Sequence, residues 1–139
     1  MEVYRRIGGE RYLVPGDWAR QESDGSVTML GRGDAVVNSG GENVFPGEVE
    51  SAIAEHPAVA DCVVFGVPDE RWGQVLAAAV ELRPEMTLTA LELQRHVGER
   101  LAGYKKPRRV LFGTLDRGPT GKVSLVDLRA RVLSAPKER

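Results

Sequence analysis

A chain of 139 residues, 42% hydrophobic and 28% charged, is long enough for one domain with a real core and has the balance of an ordinary globular protein. Its formal net charge of −1 gives no electrostatic reason to expect nucleic acid or acidic lipid, no apolar run approaches a membrane span, and the N-terminus has no signal-peptide layout. A single cysteine, Cys62, excludes an internal disulfide framework, and two histidines argue against a metal cluster, so the expected setting is the cytoplasm and no metal site is assigned.

Residues 1–31 read as short strands joined by turns. Tyr4–Ile7 and Arg11–Val14 flank Gly8-Gly9, a strong turn signal. Pro15-Gly16-Asp17 breaks the second run, and Trp18–Gln21 then pairs with Val27–Leu30 across Ser23-Asp24-Gly25-Ser26. Hairpins of this kind without a packed face are marginal in water, so the segment is expected to lean on something else.

The glycine-rich stretch Gly31–Glu50, GRGDAVVNSGGENVFPGEVE, leads into a helix. Pro46 suits the first helical position, Glu48 and Glu50 complement the positive N-terminal end, and Val49, Ala52 and Ile53 form one apolar face. Pro57 is expected to stop the helix after His56. Two readings fit these residues: a functional loop feeding an amphipathic helix, or an ordinary strand–loop–helix connection.

Val59–Val67, closed by Pro68-Asp69, and Val75–Leu82, ended by Arg83-Pro84, read as adjacent buried strands with a Glu70–Gln74 connection. Thr89 and Glu92 have capping-box spacing, and Ala90, Leu93, Val97 and Leu101 line one helix face that ends at Gly103. A short strand follows at Arg108–Phe112. The loop Arg117–Lys122 then precedes a last helix from about Ser124, with Leu125, Leu128 and Val132 on its apolar face. The expected class is α+β: a small central β-sheet flanked by about three helices and preceded by a short β-hairpin segment.

By residue type alone, most candidate groups have ordinary explanations. Lys122, in Pro119-Thr120-Gly121-Lys122-Val123, is no P-loop lysine, because that pattern needs glycine where Asp116 stands; it reads as a solvated lysine. Asp17 reads as a turn aspartate. Cys62, among valines, reads as core, His56 as a helix-end group, and His96 as solvent-facing. Lys105, Lys106, Arg108 and Arg109 form a basic cluster that fits a solvated rim or a phosphate-bearing ligand.

The pattern Gly-Arg-x-Asp followed by Gly-Gly-Glu-x-Val-x-Pro-x-Glu-Val-Glu resembles the core motif of the AMP-forming acyl-CoA synthetases, in the adenylate-forming superfamily with luciferases and peptide-synthetase adenylation domains. The resemblance runs from about Tyr12 to Arg129 and implies specific roles. Lys122 corresponds to the lysine that acts in the first half-reaction, where its ammonium neutralises charge shared by a carboxylate and the α-phosphate. Asp17 corresponds to an aspartate that binds the ribose hydroxyls of ATP, Arg32 to a nucleotide-contacting arginine, and Asp34 to the hinge between half-reactions. Ser39, Gly40 and Gly41 correspond to the segment lining the pantetheine passage, and the basic cluster to CoA phosphates. Asn38 replaces a lysine common in relatives, and Asp116 and Leu125 replace the proline of Leu-Pro-Arg and the arginine after the lysine.

The resemblance therefore implies the C-terminal part of an acyl-CoA ligase acting on a fatty or related acid, with ATP·Mg²⁺ and CoA as substrates, and AMP and pyrophosphate as products. Residues 1–33 would be the terminal strands of a large N-terminal adenylation domain, and 34–139 the small mobile domain. The phosphate-binding loop and acyl pocket belong to that large domain, so this piece alone is expected to be inactive. Two alternatives stand beside it: a non-catalytic docking or homodimerising module, and an adenylation domain serving a carrier protein.

Overall fold

The computed structural model describes residues 4–14, 17–32 and 36–136. Two small hairpins come first. β1 (Tyr4–Ile7) pairs with β2 (Glu10–Leu13), and β3 (Asp17–Gln21) pairs with β4 (Val27–Arg32), with an irregularity between Trp18 and Ala19. Every residue of β1, β2 and β3 is exposed. Among Val27–Leu30 of β4, Leu30 alone is buried, in keeping with the contact between β4 and the first helix.

The centre of the molecule is a five-stranded sheet. β7 (Val59–Asp69) and β8 (Gly73–Leu82) form its long antiparallel ribbon. The strands run further toward each other than the prolines and acids suggested: Pro68 and Asp69 still pair, with Gln74 and Gly73, so only Glu70–Trp72 connects them. β9 (Arg109–Phe112) lies parallel to β8, Ala77 opposite Arg109. A parallel neighbour needs a crossover. Here α2 (Ala90–Arg100) supplies it. β5 (Val37–Ser39) and β6 (Glu42–Val44) form a hairpin within the stretch that reads in sequence only as a glycine-rich loop, and Ser39 joins it to β8 opposite Gly73.

The side-chain period of two sorts β7 and β8 onto two faces. Val64, Leu76, Ala78 and Val80 face α1 (Pro46–Ala54) and α2, packing with Val49, Ile53, Leu93 and Val97. Phe65, Val67, Val75, Ala77 and Ala79 face α3 (Leu125–Ser134), packing with Leu128 and Val132. The α+β class holds, with three α-helices among the described residues.

Helix starts match their sequence signals better than helix ends. Pro46 opens α1, Thr89 and Glu92 make both bonds of the capping box, and the Ser124 side chain caps α3. α1 stops at Ala54 rather than His56. The chain has already turned there, with the Ala58 N–H donating to His56 Nδ1 at 3.1 Å. α2 stops at Arg100 because Leu101 is extended, and Gly103–Lys105 forms a separate 3-10 turn. No helix among the described residues is long and apolar enough to cross a membrane.

Two leucines on α2 test this register. Leu93 is fully buried and Leu91 is 64% exposed. Leu93→Ala is expected to cost about 2–5 kcal/mol in denaturant unfolding and Leu91→Ala no more than about 0.5 kcal/mol. Equal losses would place the helix face wrongly.

Candidate functional site

Three places hold the residues singled out from the sequence. At the first, Asp17 and Arg32 stand directly opposite each other as backbone partners of β3 and β4, with Asp17 exposed. The register thus sets opposite each other two backbone positions that lie fifteen residues apart in the chain. Asp34 lies outside the described residues.

At the second, Ser39, Gly40, Gly41 and Glu42 form the β5–β6 turn. Gly40 and Gly41 both have positive φ (61° and 89°), as a two-residue hairpin loop of the I′ type demands. Gly40 has a further reason to be glycine. A Cβ there would lie 2.8 Å from Cε3 of Trp72, while its N–H donates to the Trp72 carbonyl at 3.1 Å. Asn38 ends the turn by accepting from the Gly41 N–H at 3.1 Å. The guanidinium groups of Arg71 and Arg108 both lie 4.9 Å from the Trp72 ring.

At the third, Lys122 is exposed at the end of a tight loop. Gly118 N–H donates to the Lys122 carbonyl at 3.0 Å and Gly121 N–H to the Gly118 carbonyl at 2.8 Å, with Gly121 at φ 78°. The loop is tied to the sheet twice. Arg117 makes a two-pronged ion pair with Asp61 of β7 (2.7 and 2.8 Å), and the Leu115 N–H donates to Glu81 of β8 at 2.8 Å. Asp61 and Glu81 are themselves opposite each other in the ladder. The hydrogen bonds from Arg117 hold the Asp61 carboxyl below its ordinary range, and the same bonds raise the guanidinium.

The second and third places sit at opposite ends of the β7–β8 ribbon. The turn at Gly40 meets the Gly73 end, and the Lys122 loop hangs from the Asp61–Glu81 end. Eight residues of strand separate Asp61 from Asp69, on the order of 25 Å.

The basic cluster does not act as one patch. The Lys105 ammonium grips the buried Glu48 carboxylate (2.9 and 3.1 Å), and Arg20 of β3 reaches the same carboxylate at 3.2 Å. Arg109 donates to the Val132 and Ala135 carbonyls at the end of α3. Arg108 remains beside Trp72. Glu48 is therefore more than a dipole partner for α1: it ties α1, the 3-10 turn and β3 together. Its partners lie 28 and 57 residues away, so no local signal marked them.

His96 corrects the sequence reading. It is half-buried, with Nε2 2.7 Å from the Ala52 carbonyl and its ring edge-on to His56 at 4.9 Å. Burial, followed by His96, lowers the His56 pKa. Cys62 is core as expected: burial, with Glu50 and Asp61 nearby, pushes its thiol up to about 12, so it stays protonated and inert at neutral pH. Among the described residues no group of His, Cys, Asp and Glu side chains is arranged to hold a metal ion.

Residues 48–122 match the family model described as AMP-binding enzyme C-terminal domain, which is more than half of the chain. The chain belongs to this family. It is 51% identical over 122 residues to the medium/long-chain-fatty-acid–CoA/3-oxocholest-4-en-26-oate–CoA ligase of Mycobacterium tuberculosis, covering 87% of this chain and 22% of that protein. It is 52% identical over 121 residues to the 3-oxocholest-4-en-26-oate–CoA ligase of Rhodococcus rhodochrous, covering 86% and 22%. Apo MatB from Rhodopseudomonas palustris superposes with a TM-score of 0.81 at 32% identity, over 90% of this chain and 25% of MatB. The chain thus spans about a fifth of the length of these curated relatives. The matched stretch opens at Glu48, the carboxylate that Lys105 and Arg20 hold.

Glu50, two residues on, accepts from the Val64 N–H at 2.9 Å, yet burial still raises its pKa above the ordinary 4.5. A carboxyl raised on folding stabilises fully below about pH 4.5, and the contribution is lost as pH rises through the folded value. Glu50→Gln keeps the acceptor and removes the buried charge. Its melting temperature should exceed that of the parent at pH 7 and match it near pH 4. A lower value at pH 7 would mean that the charge itself is needed.

Proposed function

We propose that this domain works as the C-terminal part of an AMP-forming acyl-CoA ligase, with Lys122 serving the adenylation half-reaction. The observation that carries the reading is an exposed lysine on a loop held rigidly at its base, in a chain about half identical to proteins named as CoA ligases. In the first half-reaction a carboxylate oxygen attacks the α-phosphorus of ATP·Mg²⁺ and pyrophosphate leaves. Negative charge then accumulates between carboxylate and phosphate, where a mobile ammonium is most effective. In the second, the CoA sulfur attacks the acyl carbon and AMP leaves. Dividing one hard displacement into two easier ones is the advantage of an activated intermediate.

The other groups take places around that sequence. Asp17 would accept from the ribose hydroxyls, and Arg32, its cross-strand neighbour, would contact the nucleotide. Asp34 would be the pivot between residues 1–33, which belong with a large adenylation domain, and the small domain 34–139. Ser39, Gly40 and Gly41 would line the pantetheine passage, where the tight turn offers backbone without side-chain bulk. Placement of this turn and the Lys122 loop at opposite ends of one ribbon supports such a pivot, because the two cannot face a single centre together.

The large domain is the partner that the first two hairpins call for. Tyr4, Ile7, Tyr12, Leu13, Trp18 and Met29 are all large, apolar and about half exposed or more. Exposed strands of this kind seek a cover, and pairing with a second copy is the competing solution. The acyl pocket and most ATP and Mg²⁺ contacts fall to the large domain, and a fatty or steroid-derived acid is the substrate class that the relatives suggest. The expected compartment is the cytoplasm.

In the full-length enzyme, Lys122→Ala is expected to abolish carboxylate-dependent ATP–pyrophosphate exchange while largely sparing thioester formation from supplied acyl-adenylate. Equal loss of both half-reactions would rule out a role for Lys122 confined to adenylation.

A further inference from the structure

We propose that Arg117 is a positioning residue for Lys122, acting through the loop backbone with Asp61 as its anchor. The inference rests on the adenylation role proposed for Lys122, and it concerns groups that the sequence did not single out.

The guanidinium is used on three sides. Nε and one terminal nitrogen donate to the two oxygens of Asp61 at 2.7 and 2.8 Å, and the other terminal nitrogen donates to the Gly121 carbonyl at 2.8 Å. Gly121 immediately precedes Lys122, so the contact fixes the peptide from which Lys122 departs. A planar fork suits this task, since one rigid group can bind a carboxylate with two prongs and still reach a carbonyl. Lysine offers a point charge on a flexible stem and cannot replace it.

Asp61 is prepared for the pairing. The β7–β8 register shifts between Val59 and Asp61, and such irregularities re-aim a side chain. The Asp61 carboxylate also accepts from the Cys62 N–H at 2.8 Å, which fixes its orientation. Glu81, directly across the ladder, takes the Leu115 N–H at the other end of the loop. The loop is therefore suspended from two facing carboxylates, one of them through Arg117. Within it, Gly118 N–H holds the Lys122 carbonyl, closing the ring from the inside. The side chain of Lys122 projects from a backbone tied at Gly118, Gly121 and Asp61.

Neither partner of the ion pair is core. The side chains of Arg117 and Asp61 are 41% and 32% exposed, so their removal leaves both packed clusters intact. An ion pair this exposed, with two hydrogen bonds that span 56 residues and two local ones, does more for geometry than for stability.

The test uses the full-length enzyme and this chain side by side. In the enzyme, Arg117→Ala and Asp61→Asn should each lower kcat of ATP–pyrophosphate exchange by on the order of 10- to 100-fold, with KM for ATP and acid little changed and thioester formation from supplied acyl-adenylate intact. Arg117→Lys should not restore the rate. Combining Arg117→Ala with Lys122→Ala should give no further loss beyond Lys122→Ala alone. In this chain, the amides of Gly118 and Gly121 should exchange with solvent faster in Arg117→Ala, while those of β7 and β8 keep their protection.

The inference is overturned if Arg117→Ala exchanges pyrophosphate at the parental rate while Lys122→Ala does not, if the double variant loses additively, or if the loop amides keep their protection. Retention of full exchange by Lys122→Ala would instead overturn the role of Lys122, and the amide measurement would still report on the brace.

Discussion

From Val59 opposite Leu82 to Asp69 opposite Gly73, β7 and β8 form one long ribbon, and both of its faces are covered. That constraint shapes the rest of the molecule. Val75 to Val80 are all buried, alternating toward α1 and α2 on one side and α3 on the other. A slip of one residue would exchange the two sets, so the pairing register is strongly specified. Where β5 crosses the ribbon, Gly66 leaves room for Val37, whose Cγ2 lies 3.1 Å from where a Cβ would stand.

The Ser39–Gly41 turn and the Lys122 loop are both placed by this ribbon. One end carries the Ser39–Gly41 turn against Trp72, and the other carries the paired carboxylates from which the Lys122 loop hangs. Glu48 makes a second junction, since one buried carboxylate receives both Lys105 and Arg20. Removing one partner of a buried ion group costs more than the group contributes when intact. The first turn of α1, where the family match begins, is therefore fixed by charge as well as by the apolar face behind it.

Strong periodic signals survived into the structure. β7, β8, α2 and α3 were readable because a buried face repeats every second or every 3.6 residues, and Thr89 with Glu92 marked a helix start chemically. The β5–β6 hairpin was not readable, because three-residue strands are too short to show a period. The parallel pairing of β9 depends on a crossover that no local pattern encodes. His96 was misread because its partner, the Ala52 carbonyl, lies on another helix 44 residues away. Lys122, Asp17 and Arg32 were found by motif resemblance and not by their chemistry alone. The pairing of Arg117 with Asp61 has no local signal in the sequence, because it is a contact across 56 residues.

If this small domain serves an acyl-CoA ligase by presenting Lys122 on a braced loop, it should do so when joined to a related large domain. The most direct measurement replaces the corresponding segment of the Mycobacterium tuberculosis relative with residues 36–136 of this chain. ATP–pyrophosphate exchange with a medium-chain fatty acid is then followed. Exchange close to that of the parent ligase is the expected result. A chimera that folds and binds ATP like the parent, yet exchanges pyrophosphate only at background, would contradict the role proposed for this domain.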